Sequence, residues 1–391
     1  MAVVGSGRSV HVVVRAAAIA ARGHAVRLVT LGDVLPSDGI EVRTRPLPRS
    51  LPEAASAARG FFRDIASFEP DLLHLHYAGG PLGTLATLSG ARPLVATVMG
   101  GDVLPERHPG GMSWLERRAC RRVLEEADLI LAKSDALRPA IARFGDFAPK
   151  IETVRWGIDP ARFHRKPEAA RRLREGLGLL PSDRPILSPR TVNAVHNIHL
   201  LVDAMPRILE RAPGAVLLLT ELSADAAYRR RLEALISGLG LEGRVRFIGG
   251  RLHDDMPALY SLSEVAVGIP VADGLPQSLF EAMACGTPSV LGRLPAYAEA
   301  VEDGKTALLV ELKAEAVAEA VLRLLTEAPL RESIAAAALA RVAEIAFLPR
   351  EAERVEGFYR RVAAAPRRPR LRVALGLDAL SLLARRRRER P

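Results

Sequence analysis

The chain has 391 residues, 49% hydrophobic and only 4% aromatic, so at roughly 150 residues a domain it predicts two or three domains with aliphatic cores. Its net charge of +10 is uneven, because residues 366–391 hold nine arginines against Asp378 and Glu389 and so carry +7 of it. A basic tail on a nearly neutral body excludes a general nucleic-acid binder, whose basic residues line the folded domain.

Targeting and redox signals are weak along the chain. No apolar run is long enough to span a bilayer. The run from Val10 to Ala21 could pass for a signal-peptide core, but Arg15 interrupts it and a strand-like segment follows, so we reject a signal peptide. Cys120 and Cys285 lie far apart and form neither a disulfide framework nor a zinc pattern. We therefore expect a cytoplasmic protein.

Short β-branched runs alternate with helical patterns in the first part of the chain. The strand-like runs are Val26–Thr30, Asp71–Leu75, Leu94–Val98, Leu129–Ala132 and Ile151–Val154. The helix candidates are 10–22, 53–67, 113–126 and 135–143. This order predicts a parallel sheet that is covered by helices on both faces.

The alternation of strand-like and helical segments stops near Gly157 and then begins again. The later strand-like runs are Ile186–Ser188, Val216–Thr220, Val245–Ile248, Val265–Ile269, Ser289–Leu291 and Leu308–Val310. We predict an α/β fold of two facing Rossmann-like domains with an inter-domain cleft, since ligands of open parallel sheets bind at the carboxyl ends of the strands. The predicted parts are an N-terminal domain 1–156, a linker 157–185, a C-terminal domain 186–345, a helix 346–365 and a basic tail 366–391.

The first strand-to-helix turn contains Gly5, Gly7 and His11. Two glycines let the backbone approach a bound group, and a helix N-terminus favours anions. A dinucleotide fingerprint would need a third glycine where Val10 stands, so NAD binding is poorly supported. Two interpretations stay open for Gly7, a ligand loop and a plain tight turn.

The segment from Asp273 to Pro288 carries the strongest signal. A strand leads into a loop, and a helix starts near Ser278, so loop amides and the helix N-terminus can hold a diphosphate. Asp273 and Glu281 flank that position, and carboxylates suit the hydroxyls of a ribose or a sugar. In the alternative, Ser278-x-x-Glu281 is a capping box and only stabilises a helix end.

This segment resembles the signature of glycosyltransferase family 4, in which two acidic residues separated by seven others precede a helix reading Ala-Met-Ala-Cys-Gly. The resemblance covers about residues 1–345. It implies the two-domain fold named GT-B, a nucleotide-diphosphate sugar donor, no metal or other cofactor, and retention of anomeric configuration. Other stretches similar to the family are Ser9–His11, Arg22–His24, Asp71–His76, Gly100–Val103, Ala127–Ser134 and Gly157–Phe163.

The resemblance also implies roles for the loop and helix residues of this segment. Glu281 would hold the donor ribose, and the helix start near Ser278 would hold the diphosphate. Asp273 would face the transferred sugar, where the family usually has the longer Glu. The predicted backbone donors beside it are the amides of Gly274, Leu275 and Pro276.

Arg190 follows the strand 186–188 and matches the family arginine that contacts the diphosphate. A guanidinium fork suits phosphate oxygens, which predicts a catalytic role for Arg190, whereas the alternative is a surface ion pair. The lysine that follows in the family is missing, and His196 and Asn197 occupy that stretch. His196 would donate a hydrogen bond there, or carry a charge if the phosphate raised its pKa, or it is only a histidine at a helix start.

The N-terminal half supplies the acceptor-side candidates. We predict His74 to be a hydrogen-bonded core residue, while His76 is either a core or an acceptor-side residue. Met99 replaces a histidine that many family members have before the glycine pair, which leaves Asp102 as the predicted catalytic group near the reaction centre. His11 is a further acceptor-side candidate.

These features together predict a retaining glycosyltransferase that acts on a nucleotide sugar and a glycan or lipid-linked acceptor. One alternative is a nucleotide-sugar epimerase on a similar fold. The other is a non-catalytic partner subunit, which the missing lysine and Met99 would suit and the intact Asp273 and Glu281 pair argues against.

The tail holds an apolar stretch, Leu371 to Ala384, between two arginine clusters. It is too short to span a bilayer but suits a membrane interface, with leucines in the headgroup boundary and arginines on anionic lipid. We therefore predict peripheral contact with the inner face of the plasma membrane. A disordered terminus, or a tail that docks back on the protein, are the alternatives.

Overall fold

The computed structural model of the protein describes residues 1–108, 110–155, 157–221, 224–250 and 253–365. The predicted basic tail, residues 366–391, therefore lies outside the described residues. Among the residues that are described, no helix is long and apolar enough to cross a membrane.

The first domain is built on a seven-stranded parallel sheet with the order β3-β2-β1-β4-β5-β6-β7. Its strands are β1 Ala2–Val4, β2 Arg27–Leu31, β3 Glu41–Arg45, β4 Leu73–His76, β5 Leu94–Val98, β6 Leu129–Ala132 and β7 Ile151–Thr153. Its helices are α1 Val10–Ala20, α2 Leu51–Ala66, α3 Gly80–Leu88, α4 Trp114–Glu126 and α5 Arg138–Ala142. The strand order reverses between β1 and β4, so the loops after these strands border the point where such sheets bind ligands.

The second domain contains a six-stranded parallel sheet with the order β10-β9-β8-β11-β12-β13. Its strands are β8 Arg184–Ser188, β9 Ala215–Leu219, β10 Val245–Phe247, β11 Val265–Gly268, β12 Ser289–Gly292 and β13 Leu308–Val310. The helices from here to the end of the described chain are α6 Pro167–Gly176, α7 Ile198–Arg211, α8 Ala226–Gly238, α9 Met256–Leu262, α10 Gln277–Ala284, α11 Pro295–Ala298, α12 Ala314–Thr326, α13 Ala328–Ile345 and α14 Leu348–Ala364. The strand order reverses between β8 and β11, so Arg190 and Asp273 follow the two strands at this switch point.

The strands that separate the two layers of helices are almost wholly apolar, as buried parallel strands require. Every residue of β5, β6, β9, β11 and β12 is buried. The prediction of two doubly wound α/β domains is confirmed, and the predicted strands agree with those observed to within about two residues.

The last helix, α14, returns to the first domain and packs against α1. Val355 and Tyr359 of α14 share one buried cluster with Val12 and Ile19 of α1. The chain therefore crosses between the domains twice. The two crossings run side by side, since the Ile158 N–H donates to the Ala346 carbonyl at 2.7 Å.

Candidate functional site

The carboxyl ends of the two sheets face each other, and their loops touch at a pair of glycines. A Cβ added to Gly100 would lie 3.1 Å from the Gly274 backbone nitrogen, and one added to Gly274 would lie 3.0 Å from the Met99 carbonyl oxygen. Gly100 also has a φ of +106°, which disfavours any side chain. These glycines let the loop after β5 and the loop after β11 approach closely across the cleft.

Arg190 occupies the centre of the second-domain side of the cleft. Its Nη2 donates to Asp273 Oδ2 at 2.8 Å, its Nη1 to Ser278 Oγ at 3.2 Å and its Nε to His196 Nδ1 at 3.4 Å. The side chain is only 14% exposed, so the alternative of a surface ion pair is wrong. Burial acts to lower the pKa of Arg190, but Asp273, Tyr297 and Tyr260 together outweigh burial, so the pKa is raised. A charged guanidinium is thus fixed beside the start of α10.

Asp273 is held from three directions. Besides Arg190, its carboxylate accepts hydrogen bonds from the Tyr297 hydroxyl at 3.3 Å and from the Gly274 N–H at 2.8 Å. The predicted row of backbone donors therefore needs correction, because the Gly274 N–H is already used and Pro276 has no N–H. Of the three predicted donors, Leu275 is left, and its φ of +76° sets the direction of its N–H.

His196 lies next to the Arg190 guanidinium and is buried. Burial, followed by the positive charges of Arg190 and Arg107, lowers the pKa of His196 to about 2. His196 is therefore neutral in the donor-free protein, and the alternative in which a bound phosphate raises its pKa stays a prediction. As a neutral ring it can still donate or accept one hydrogen bond at each nitrogen, according to its tautomer.

Glu281 lies one turn into α10 and is only 5% exposed. Its Oε2 accepts a hydrogen bond from the Tyr260 hydroxyl at 3.0 Å, and its Oε1 lies 3.0 Å from His253 Nε2. The helix has Pro276 as its N-cap and no side-chain capping bond, so the capping-box alternative is wrong. A carboxylate has about four acceptor positions, so Glu281 keeps capacity for hydroxyl groups of a ligand.

Gly7 serves the packing of its own turn. Its N–H donates to Thr30 Oγ1 at 3.0 Å, and an added Cβ would lie 2.8 Å from a methyl carbon of Val34 and 2.9 Å from the Asp33 carbonyl oxygen. The tight-turn interpretation therefore accounts for this glycine. The ligand-loop interpretation of Gly7 stays a prediction, and a bound group would have to approach without the Gly7 N–H, which already has a partner.

The two acceptor-side histidines lie in different surroundings. His76 is buried, and its ring stacks at 4.1 Å on His74, the predicted core histidine, which lies 2.7 Å from Thr97 Oγ1. His11 lies at the cleft, where burial and then Lys133 lower its pKa well below the usual range. A cavity of about 250 Å³ separates α1 from the second domain at this point. Its lining includes Val10, His11, Val14, Arg15, His253 and Gln277.

Asp102 holds the loops of the first domain together. It is 1% exposed, and its carboxylate accepts hydrogen bonds from the N–H groups of Ala78 at 2.8 Å, Gly100 at 2.8 Å and Met99 at 3.0 Å. Burial raises the pKa of Asp102, and these backbone bonds oppose the rise. Both oxygens thus face backbone amides. This geometry makes Asp102 a positioning residue for the loops after β4 and β5, and its predicted catalytic role stays a prediction.

Several residues near the cleft were not predicted from the sequence as site residues. Tyr260 and Tyr297 orient the two predicted carboxylates, yet both read as ordinary core residues in the sequence. Lys133 is buried directly after β6, and burial lowers its pKa to about 8 while Asp273 acts against that change. Lys133 could have been predicted as a site residue, because it is a charged residue at the carboxyl end of an apolar strand. Arg107 gave no such signal.

Direct bonds also join the domains at the rim of the cleft. The Glu299 carboxylate of the second domain accepts hydrogen bonds from the backbone N–H groups of Asp135 at 3.0 Å and Ala136 at 2.7 Å in the first. Gln277 Nε2 donates to the Gly157 carbonyl at 2.9 Å. Within the described ranges, no group of three or more His, Cys, Asp or Glu side chains could hold a metal ion.

Comparison with known protein families matches both halves of the chain. Residues 5–162 match the model described as Glycosyltransferase Family 4, and residues 171–341 match Glycosyl transferases group 1. The chain is 31% identical over 291 residues to the GDP-mannose-dependent alpha-(1-6)-phosphatidylinositol monomannoside mannosyltransferase of Mycolicibacterium smegmatis, covering 70% of this chain and 71% of that protein. It is 27% identical over 313 residues to D-inositol 3-phosphate glycosyltransferase 2 of Catenulispora acidiphila, covering 74% and 69%.

Solved structures share the fold over nearly the whole chain. Anabaena Alr3699/HepE in complex with UDP and glucose aligns with a TM-score of 0.78 at 21% identity and covers 91% of this chain and 98% of its own. Sucrose-phosphate synthase from Thermosynechococcus elongatus aligns with a TM-score of 0.79 at 22% identity, covering 93% and 99%. The predicted family and fold are thereby confirmed: the chain belongs to glycosyltransferase family 4, has the GT-B fold and is a glycosyltransferase.

Proposed function

We propose that the protein is a retaining glycosyltransferase that moves a sugar from a nucleotide-diphosphate donor to a hydroxyl group of a glycan or lipid-linked acceptor. The observation that carries this proposal is the half-buried Arg190 guanidinium at the start of α10, with Asp273 and Glu281 fixed on either side. Arg190 and the α10 N-terminus hold the diphosphate, Glu281 holds the ribose and Asp273 meets the transferred sugar.

The chemistry assigned to this site is a single exchange at the anomeric carbon. The bond from that carbon to the phosphate oxygen breaks, and its electron pair stays on the phosphate. The acceptor oxygen forms the new bond on the same face, and its proton passes to the departing phosphate. Arg190 stabilises the negative charge that grows on the leaving group. This interaction is stronger in the transition state than in the ground state, so it accelerates the reaction.

A covalent route through a carboxylate has less support. Retaining glycosidases use a carboxylate nucleophile that is open to the sugar carbon. Asp102 faces three backbone N–H groups, and Asp273 is bonded to Arg190, Tyr297 and Gly274. The proposal includes no metal or other cofactor, because Arg190 and the α10 N-terminus supply positive charge to the diphosphate.

The names of the relatives guide the choice of substrates to test. The Mycolicibacterium smegmatis relative is named for GDP-mannose and a phosphatidylinositol monomannoside, and the Catenulispora acidiphila relative for inositol 3-phosphate. We therefore place GDP-mannose first among the donors for this chain, and inositol-containing or lipid-linked compounds first among its acceptors.

A thermal-shift screen of nucleotide sugars followed by a transfer assay tests the proposal. A donor at a hundred times its dissociation constant should stabilise the fold by about 2.7 kcal/mol. Proton NMR of the product then shows whether the anomeric configuration is retained. Failure of every nucleotide sugar to shift the melting temperature and to give a product would overturn the proposal, and an inverted product would overturn retention.

Membrane contact through residues 366–391 belongs to the same proposal, and it rests on the arginine clusters of the sequence. The test is co-sedimentation with vesicles that contain anionic lipid, comparing the full chain with a chain that ends at Ala365. The full chain should pellet at low salt and be released as salt rises, because screening weakens the basic contribution. Equal sedimentation of both chains would remove the tail from the proposal.

A further inference from the structure

Arg107 reaches from the first domain into the charged centre of the second. It ends the short 3-10 turn Pro105–Arg107, in the segment between β5 and α4. Its Nη1 lies 3.5 Å from the carbonyl oxygen of Ala272, the residue before Asp273. The side chain is half-buried, so the guanidinium lies within the cleft rather than on the outer surface.

The segment that carries Arg107 is fixed by its own hydrogen bonds. The Leu104 N–H donates to the Gly100 carbonyl at 2.8 Å, and His108 Nε2 lies 2.7 Å from the Gly101 carbonyl oxygen. The Tyr77 hydroxyl donates to the same Gly101 carbonyl at 2.9 Å. Asp102 fixes the start of the segment, so the position of Arg107 is set by the loop.

Charged residues of the second domain lie close to Arg107. Burial lowers the pKa of Arg107, while Asp273 acts to raise it and Arg190 to lower it. Its charge also contributes to the low pKa of His196. Arg107 therefore shares the space of Arg190, Asp273 and His196. Because Asp273 pairs with Arg190 and His196 is neutral, the positive charge of Arg190 is partly offset, and a second guanidinium would add to the charge that meets a diphosphate.

We propose that Arg107 is a catalytic residue that contacts the departing diphosphate from the first domain and supplies the second guanidinium of the transfer reaction. The inference rests on the proposed function and deepens it. As the bond from the anomeric carbon to the phosphate breaks, its electron pair moves to the phosphate oxygen, and two guanidinium groups share the added charge. Because they come from opposite domains, the leaving group receives both only when the cleft is closed.

The test compares Arg107→Gln and Arg107→Lys with Arg118→Gln, which alters an exposed arginine of α4 in the same domain. Each chain is assayed at saturating donor, and the affinity for the nucleoside diphosphate is measured by calorimetry. We expect Arg107→Gln to lower kcat by about 100- to 1,000-fold, as loss of one charge-stabilising group does elsewhere. Arg107→Lys should lose roughly tenfold, because it keeps the charge without the fork. Arg118→Gln should stay within about twofold of wild type.

A second measurement separates a catalytic from a structural role. Guanidinium ion at millimolar concentration should restore part of the kcat of Arg107→Ala and leave Arg118→Ala unchanged, whereas a collapsed loop would not respond. An active wild type with unchanged kcat in Arg107→Gln, or without rescue of Arg107→Ala, overturns this role alone. A wild type that binds no nucleotide sugar overturns both this role and the proposed function.

Discussion

Arg190 and Asp273 form a half-buried ion pair inside the cleft, with 2.8 Å between Nη2 of the arginine and Oδ2 of the aspartate. The pair keeps the guanidinium charged and aimed at the start of α10 before any donor arrives. A donor diphosphate then meets a cation whose desolvation is already offset by Asp273, so little reorganisation accompanies binding. The pair also ties the sugar-side carboxylate to the phosphate-side cation.

We expect Arg190→Lys to lower kcat by about 100-fold at saturating donor, because one ammonium cannot reproduce bonds that three guanidinium nitrogens make to Asp273, Ser278 and His196. Steady-state kinetics check this. Arg184→Lys is the matched control, since Arg184 pairs with Glu264 at the other end of β8 and should affect stability alone. If Arg190→Lys changed only the Michaelis constant, Arg190 would bind the substrate and the transition state equally well. That result would contradict its role on the leaving group.

Glu281→Gln should raise the dissociation constant of the nucleotide sugar about tenfold while the fold persists, because a neutral amide replaces a charged acceptor of ribose hydroxyls. Calorimetric titration with the donor measures this. Tyr260→Phe is informative beside it, since it removes one bond to Glu281 without removing the carboxylate, and we expect a smaller loss. Unchanged donor affinity and turnover in Glu281→Gln would show that the ribose role is wrong.

The sequence predicted most of the fold because buried parallel strands have an unmistakable apolar pattern. The strand with no counterpart in the prediction is β3, Glu41–Arg45, which lies at the sheet edge, while β1 was predicted only as the strand before the turn at Gly5. The residues of β3 alternate charged and small side chains and none is buried, so it carries no apolar run. Such edge strands are recognised by their pairing partner and not by their composition.

The candidate site was predictable in part for a similar reason. Arg190, Asp273 and Glu281 follow a specific spacing after strands, and the structure brings all three to one edge of the second sheet. Their supporting groups come from distant segments that only the fold brings near, such as Tyr260 on α9 and Tyr297 on α11. The positioning role of Asp102 could not be predicted, because its spacing in the sequence does not reveal that its carboxylate faces backbone N–H groups.

The free energy of unfolding should fall as pH drops from 7 to 5, because His74 and His196 are buried and neutral. Burial lowers the pKa of His74 to about 3 and that of His196 to about 2, below an unfolded value of about 6.5. Below pH 6.5 the unfolded chain binds protons that the folded protein does not, so stability present above that pH is lost on acidification. Each histidine should contribute about 2 kcal/mol of loss by pH 5.

Urea unfolding at several pH values measures this dependence. His196→Asn should reduce the slope against pH by about one proton, or roughly 1.4 kcal/mol per pH unit. His164→Asn, which alters an exposed histidine, is the control and should leave the slope unchanged. Identical slopes for wild type and His196→Asn would contradict a buried neutral His196.

Closure of the cleft should depend on Glu299. Its carboxylate bonds the backbone N–H groups of Asp135 and Ala136 across the domain boundary, and Arg155 lies 3.7 Å from the same side chain. Bonds to a charged acceptor contribute about 1.5–3 kcal/mol. Glu299→Ala should therefore increase the radius of gyration of the donor-free protein in small-angle scattering and weaken donor binding at least tenfold.

Glu302→Ala is the control, because exposed Glu302 pairs with Lys305 within one domain. If the two variants scatter alike and bind the donor alike, the contacts at Asp135 and Ala136 do not hold the cleft closed, and the other contacts between the domains, such as the one between Gly100 and Gly274, keep Arg107 in place.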